Sequence, residues 1–144
     1  ELRELADAVT SKGVTPEIEF AGRLDHDPLS KLLPTFDLLV VPSVVPEAFG
    51  MVAAEAAACG VLPLVPGHSG IGEVGATLEA ALDRPGLLTF DPLDPVRDIA
   101  RGIDRVLALD PRDRRELGRR AVQVARELWS WDGVAARLLA LATD

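Results

Sequence analysis

Cysteine, positive charge and long apolar runs are all scarce in this chain of 144 residues. Its single cysteine, Cys59, excludes an intramolecular disulfide and a multi-cysteine metal cluster, and it indicates a reducing compartment. The formal net charge of −8 argues against a nucleic-acid partner, because binding to a phosphate backbone relies on clustered positive charge. No run approaches the roughly 20 apolar residues of a membrane-spanning helix, and neither a signal peptide nor an internal repeat is visible.

What the chain does contain suits one folded domain. Hydrophobic residues make up 48% of the sequence, enough to build a sizeable core. The chain opens on Glu1-Leu2-Arg3, which already has the pattern of an amphipathic helix, and its only methionine is Met51. We therefore expect it to be part of a longer protein.

Apolar runs alternate with helical patterns along the chain. The runs predict strands at residues 18–21, 37–41, 61–65 and 87–90, although Pro63 is unexpected inside a strand. Helical spacing predicts helices at residues 2–9, around 29–33 and at 49–59. A fourth helix follows the loop at residues 68–72 and reaches about residue 82, and three more are predicted at 96–109, 113–128 and 132–142. This alternation indicates an α/β fold, a Rossmann-like doubly wound parallel sheet with a helical carboxyl-terminal tail. Ligands of such sheets bind beyond the carboxyl ends of the strands.

The stretch from Pro42 to Gly60 is the most informative part of the sequence. It passes from a strand end through a proline-containing loop into a helix, residues 49–59, that consists largely of alanine. Because this helix is apolar on every side, the sequence predicts that it is buried. The carboxylate of Glu55 would leave from the middle of a small-residue surface, so we expect hydroxyls or positive charge to face it.

The start of the same helix is a candidate anion site. Phe49, Gly50 and Met51 contribute amides that have no acceptor within the helix, and Gly50 leaves the backbone accessible. A plainer interpretation is equally open at this point. In that interpretation Gly50 eases a tight turn from strand to helix, and Glu55 pairs with one of the many arginines.

Structural roles are favoured for most of the other conspicuous residues. The charged segment from Arg112 to Arg120 also contains acids, which is typical of a solvated helix face. Trp129 and Trp131 suit anchors that fix the last helix to the core. His26 has acids nearby and is expected at the surface, whereas His68 lies in a loop at a strand end, where ligands bind.

Taken together, these segments resemble the carboxyl-terminal domain of retaining glycosyltransferases with the GT-B fold, of group 1 or family 4. The resemblance rests on Glu47 and Glu55, which form an E-x7-E pair with Pro-Ser before it, Phe-Gly within it and Ala-Cys-Gly after it. The segments that also fit are Phe20–Arg23, Asp37–Ser43, Ser69–Glu73, Leu87–Asp91 and Ser130-Trp131. The match covers nearly the whole chain.

The resemblance implies a nucleoside-diphosphate sugar as the donor substrate. The diphosphate would meet the amides of residues 49–51, Glu55 would bind the ribose hydroxyls, and Glu47 would be the catalytic carboxylate beside the transferred sugar. Gly22 and Arg23 would lie in the loop near the nucleobase. No carboxylate cluster has the spacing of a hard-cation site, so we expect no metal and no other cofactor.

The resemblance also limits what this chain can do alone. The arginine and lysine that neutralise the leaving diphosphate in the family have no counterpart here, and neither does the amino-terminal domain that binds the acceptor. Residues 1–144 would therefore be a partial nucleotide-sugar-binding domain, inactive in isolation. The full-length protein would transfer a hexosyl group with retention of configuration. We expect it in the cytoplasm, either free or peripherally attached to the inner face of the membrane.

Two alternatives stay open at the level of the sequence. A nucleotide-sugar epimerase shares the GT-B architecture and also has a Ser-Gly loop before a helix. A non-catalytic sugar-nucleotide-binding module would need only the donor site. An arginine and a lysine upstream of Glu1 would favour a transferase over both.

Overall fold

Three parallel strands form a sheet in the part of the chain that the structure describes. The structure is a computed structural model, and it describes residue 19 and residues 21–142. The strands are β1 (Leu38–Val40), β2 (Leu62–Pro66) and β3 (Thr89–Phe90), and they are hydrogen-bonded in that order. The predicted helix at residues 2–9 lies outside the described residues. Of the predicted strand at 18–21, residues 19 and 21 are described, and neither belongs to a strand.

Helices precede, connect and follow these strands. In order along the described chain they are α1 (His26–Leu32), a single 3-10 turn (Leu33–Thr35), α2 (Met51–Ala58), α3 (Ser69–Leu82), α4 (Pro95–Leu107), α5 (Pro111–Leu128) and α6 (Trp131–Leu141). The start of α5 shows why the local sequence folds in this way. Pro111 occupies its first turn, where a proline costs no hydrogen bond, and the Asp110 side chain accepts a hydrogen bond from the amide of Arg112.

Helices cover both faces of the sheet. On β2, Leu64 lies against Gly102 of α4, whereas the next residue, Val65, lies against Gly75 of α3. Because successive side chains of a strand point to opposite faces, α3 and α4 are on opposite sides. The predicted Rossmann-like doubly wound α/β fold with its helical tail is confirmed.

Pro63 lies within β2 without breaking the ladder. The amide of Val65 donates to the carbonyl of Leu88 at 2.9 Å, toward β3. Pro63 precedes Val65 by two residues, so its nitrogen faces the same side at a level before β3 begins at Thr89. The missing N–H therefore costs no bond to β3, which explains why a proline is compatible with this strand.

The buried carboxylate of Glu79 makes β3 shorter than the predicted strand at 87–90. Glu79 is 8% exposed, and its Oε1 accepts from the amide of Leu88 at 2.7 Å and from the hydroxyl of Thr89 at 2.9 Å. Its Oε2 accepts from the amide of Gly86 at 2.8 Å. Since these donors bond a side chain, the chain becomes a regular strand only at Thr89. Glu79 thereby joins α3 to the turn that leads into β3.

Arg114 corrects the prediction that residues 112–120 form a solvated helix face. Its side chain is 13% exposed, and its Nε and Nη2 donate to Oδ1 of Asp37 at 3.1 and 3.0 Å. Its Nη1 donates to the carbonyls of Leu107 and Leu109, each at 3.1 Å. One guanidinium therefore joins the start of β1 to the end of α4, which its planar array of donors allows. The other arginines of this segment are exposed, as predicted: Arg112, Arg115, Arg119 and Arg120.

The prediction of two tryptophan anchors is right for Trp129 and wrong for Trp131. Trp129 is partly buried and packs against the main core. Trp131 is 90% exposed, because it begins α6, a helix that lies beside α5 and has no buried residue. Its indole is therefore a surface group.

We expect Glu79→Ala to lower the free energy of unfolding by about 2–4 kcal/mol, because it leaves the buried amide of Leu88 and the partly buried donors of Gly86 and Thr89 without their acceptor. Glu79→Gln should fall between this variant and the unmutated protein, since one amide oxygen can replace only part of the carboxylate. Urea denaturation measures the effect. Glu73→Ala is the matched control, because Glu73 is exposed on the same helix and should change stability by no more than about 0.5 kcal/mol. Equal losses in Glu79→Ala and Glu73→Ala would contradict the assignment.

Candidate functional site

Two helices begin at the carboxyl edge of the sheet. The loop after β1, residues 41–50, leads into α2, and a short turn after β2 leads into α3. The first turns of both helices thus lie at the edge where doubly wound sheets bind their ligands. The E-x7-E pair straddles the start of α2.

The prediction that α2 is buried on every side is only half right. Its alanines at positions 53, 54, 56 and 57 are buried, but Met51 is 64% exposed, Val52 is 47% exposed and Ala58 is exposed as well. The buried side packs on β2 and α5. Since nearly every residue of α2 is small and apolar, the sequence carries no period that would reveal which side stays open.

Gly50 is required by the fold at the start of α2. Its φ of 85° lies in the left-handed region, and a methyl group on it would lie 2.5 Å from Cγ1 of Ile71 in α3. The plainer interpretation of this glycine, a tight turn, is therefore correct, and the missing side chain makes room for α3. The backbone amides nevertheless behave as expected for an anion site. No described residue accepts a hydrogen bond from the amides of residues 49–51.

Glu47 is held by its backbone to the start of α3. Its N–H donates to Oγ of Ser69 at 3.1 Å, and its carbonyl accepts from the N–H of Gly70 at 2.9 Å. The residue is half-buried, and its carboxylate has no hydrogen-bond or ion-pair partner among the described residues. The carboxylate is therefore available to a ligand at the edge of the sheet.

Glu55 is half-buried on α2, and no arginine in residues 21–142 forms an ion pair with it. The plainer interpretation of this residue, a salt bridge, therefore finds no support in the described part of the chain. Glu55 lies between two cavities. One, of about 330 Å³, is lined by Phe49, Met51, Ala54, Glu55, Ala58, Ala125, Arg126, Trp129, Ser130 and Trp131. The other, of about 200 Å³, is lined by His26, Leu29, Ser30, Leu33, Glu55, Ala58 and Cys59.

The two predicted nucleobase contacts lie in the segment that leads into α1. Gly22 and Arg23 are both exposed, and no described residue bonds the guanidinium of Arg23. The segment continues directly into His26, which lines the smaller cavity beside Glu55. The structure thus brings Glu55 next to the element that follows Arg23, but it shows no contact between Arg23 and either glutamate.

Aromatic side chains that the sequence analysis did not predict lie beside Glu55. Phe49 and Trp129 meet edge to face, with ring centroids 6.1 Å apart and planes at 79°. Trp131, expected in the core, lines the same cavity. Aromatic residues this far apart in sequence carry no spacing signal, so only the packing of α5 against α2 reveals that they meet.

Within the described residues, no three His, Cys, Asp or Glu side chains are placed to hold a metal ion together. Independence from metal remains a prediction. In the same part of the chain, no helix combines the length and the apolar character needed to cross a membrane.

Comparison with known proteins decides the family. The sequence profile of the family described as "Glycosyl transferases group 1" matches residues 1–124. The chain belongs to this family. The resemblance drawn from the E-x7-E pair and its flanking residues is thereby confirmed.

Similar proteins are known from several organisms. An uncharacterized glycosyltransferase of Methanocaldococcus jannaschii is 35% identical over 91% of this chain and 31% of its own length. A D-inositol 3-phosphate glycosyltransferase of Salinispora tropica is 38% identical over 96% of this chain and 26% of its own length. The sucrose-phosphate synthase structure from Thermosynechococcus elongatus superposes with a TM-score of 0.71 and 29% identity, over 98% of this chain and 33% of that one. This group 1 chain therefore spans about a third or less of the proteins it matches, and the epimerase alternative finds no support among them.

We expect Gly50→Ala to lower the free energy of unfolding by about 2–4 kcal/mol, because the new methyl group meets Ile71 in addition to straining the backbone. Gly86→Ala is the matched control. Gly86 also has a positive φ, of 72°, but a methyl group there would meet nothing within 4 Å, so its cost should be only about 1 kcal/mol. Urea denaturation compares the two, and equal losses would show that contact with α3 plays no part.

Proposed function

We propose that this chain is the donor-binding part of a group 1 glycosyltransferase and that it holds a nucleoside-diphosphate sugar along α2. One observation carries the proposal: the half-buried carboxylate of Glu55 has no protein partner among the described residues, one turn beyond amides that have no acceptor there either. A carboxylate in that position has lost part of its contact with water and gains from a ligand that donates hydrogen bonds. A ligand with hydroxyls on one side and negative charge on the other would satisfy both.

The partial charge of the helix end indicates how the parts of the nucleoside-diphosphate sugar are arranged along α2. The amino-terminal end of a helix carries partial positive charge and unbonded N–H groups, so the diphosphate belongs at residues 49–51. Glu55 lies about 6 Å further along the axis than Met51. Its carboxylate would accept charge-assisted hydrogen bonds from the vicinal hydroxyls of the ribose. The smaller cavity, with His26 and Cys59, comes next along the helix and would take the nucleobase, near Gly22 and Arg23.

Transfer would take place beside Glu47. The bond between C1 of the sugar and the diphosphate oxygen breaks, and its electron pair leaves with the diphosphate. The acceptor hydroxyl oxygen forms the new bond to C1 on the same face, so that configuration is retained, and its proton passes to the departing phosphate. Stabilisation of the leaving diphosphate by the α2 amides would supply part of the barrier lowering. Cationic groups and an acceptor site in the rest of the protein would supply the remainder, so this chain alone should not transfer a sugar.

Substitutions of the two glutamates should have different effects in the full-length protein. Glu55→Ala should weaken nucleoside-diphosphate binding roughly ten- to a hundredfold, because charge-assisted hydrogen bonds worth about 1.5–3 kcal/mol are lost. Its stability should hardly fall, since alanine suits a helix and an unpaired carboxylate disappears. Glu47→Ala should lower kcat more than it weakens binding of the bare nucleotide.

Calorimetric titration with UDP, GDP and ADP, thermal melts and transfer assays on the variants make this comparison. Glu116→Ala is a suitable control, because Glu116 is exposed on α5 and pairs only with Arg119 among the described residues. A Glu55→Ala protein that is destabilised but keeps its nucleotide affinity would refute the ribose assignment.

Binding of the bare nucleotide should not require a divalent metal. The helix amides can neutralise part of the diphosphate charge, and the described residues contain no cluster of hard-cation ligands. Titrations of UDP, GDP and ADP in EDTA and in magnesium should therefore give similar dissociation constants. Binding seen only with magnesium would contradict this prediction.

A further inference from the structure

Ser69 has an unusual backbone conformation for its residue type. Its φ is 54°, and the only other described non-glycine residue with a positive φ is Asp83. Asp83 ends α3, where the left-handed conformation is a common helix cap. Ser69 begins the same helix, where no cap requires such a conformation. Strain of this kind persists when surrounding contacts hold it, and it concentrates at functional sites.

The hydroxyl of Ser69 bonds the backbone of Glu47. Its Oγ accepts the Glu47 N–H at 3.1 Å, while the neighbouring Gly70 N–H donates to the Glu47 carbonyl at 2.9 Å. Both polar groups of the Glu47 backbone are thus fixed to the first turn of α3. The loop that carries Glu47 lies so close to α3 that a methyl group on Gly70 would overlap the carbonyl oxygen of Ala48. Only the side-chain torsions of Glu47 remain to be set by a ligand.

His68 also contacts this hydroxyl. Its Nδ1 lies 3.0 Å from Oγ of Ser69. A hydroxyl oxygen has two lone pairs and one proton, so it can accept the Glu47 amide in either imidazole tautomer while also bonding the ring. The Glu47 amide and the His68 ring thus both bond the same oxygen.

The amides of α2 depend on a different contact. Gly50 rests on the side chain of Ile71, which is fully buried, and this contact does not involve the Ser69 hydroxyl. Loss of that hydroxyl should therefore loosen Glu47 while α2 keeps its place. The two anchors, although adjacent on α3, serve different parts of the site.

We propose that Ser69 is a positioning residue whose hydroxyl holds the Glu47 backbone so that its carboxylate faces the transferred sugar. This inference rests on the proposed function. It assigns to Ser69 an effect on the rate of transfer and none on the binding of the nucleotide.

Glycine at position 69 provides a sharp test, because it removes the hydroxyl and relieves the strained φ at once. Ser69→Gly should be about as stable as the unmutated full-length protein, because relief of the strained φ offsets the lost hydrogen bonds and the added freedom of the unfolded chain. Its kcat should nevertheless fall roughly three- to tenfold, as expected for one lost neutral hydrogen bond. The dissociation constants of UDP, GDP and ADP should stay within about twofold. Ser69→Ala should lose activity similarly and be less stable, because it keeps the strain.

The rate is measured as release of nucleoside diphosphate from UDP-, GDP- and ADP-linked glucose and mannose, with water as the acceptor. Thr35→Ala is the matched control, because among the described residues the Thr35 hydroxyl bonds only the carbonyl of Leu32, at the end of α1. An unchanged kcat in Ser69→Gly would overturn the positioning role alone. Parallel losses of stability and nucleotide affinity would overturn it in favour of a purely structural role. An unmutated protein that neither binds these nucleotides nor consumes these donors would refute the proposed function and this inference with it.

Discussion

The close approach between the loop at residues 47–50 and the first turn of α3 is the constraint on which the rest of the site depends. Gly50 has no room for a side chain beside Ile71, and Gly70 has none beside Ala48. The two helix starts can lie this close because a glycine at each contact has no side chain: Gly50 packs on the Ile71 side chain and Gly70 on the Ala48 backbone. As a result, the amides at the start of α2 and the backbone of Glu47 have fixed positions relative to one frame, the first turn of α3.

That frame is continuous with the hydrophobic core. Ile71 is completely buried and belongs to the main cluster, together with Val65 of β2 and Ala57 of α2. Farther away, Glu79 fixes the far end of α3 and Arg114 joins α4 to β1. Because interiors are packed at crystal-like density, a change of volume in this core would be transmitted to the start of α3. The geometry of the site is thus inherited from core packing and from a few buried polar contacts.

How much the sequence predicts depends on how local the cause is. Continuous apolar runs predict β1 and β2, and the E-x7-E pair with its neighbours predicts the family, because these signals lie within short stretches. Interactions between distant segments carry no such signal. The sequence around Arg114 contains no pattern that identifies Asp37 as its partner. Likewise, the sequence around Trp131 does not indicate that α6 has no buried residue. The exposed face of α2 is not predictable for a related reason. In a helix made largely of alanine, hydrophobic and polar residues do not alternate with a helical period that would indicate the exposed side.

The two glutamates reach the same edge of the sheet by different means. Glu55 is carried by a helix whose other side is buried, so its position is as rigid as α2 itself. Glu47 lies in a loop, and the described contacts of its backbone are two hydrogen bonds to α3, one of them from a serine under strain. Under the proposed function, Glu55 binds the nucleotide and Glu47 lies beside the sugar, so different contacts hold these two groups in place. Under the same proposal, loss of the Ser69 hydroxyl should change the rate of transfer while nucleotide binding stays intact, because Ser69 contacts Glu47 and the start of α2 rests on Ile71. Variation at this one position offers a physical route to different transfer rates on one nucleotide-binding site.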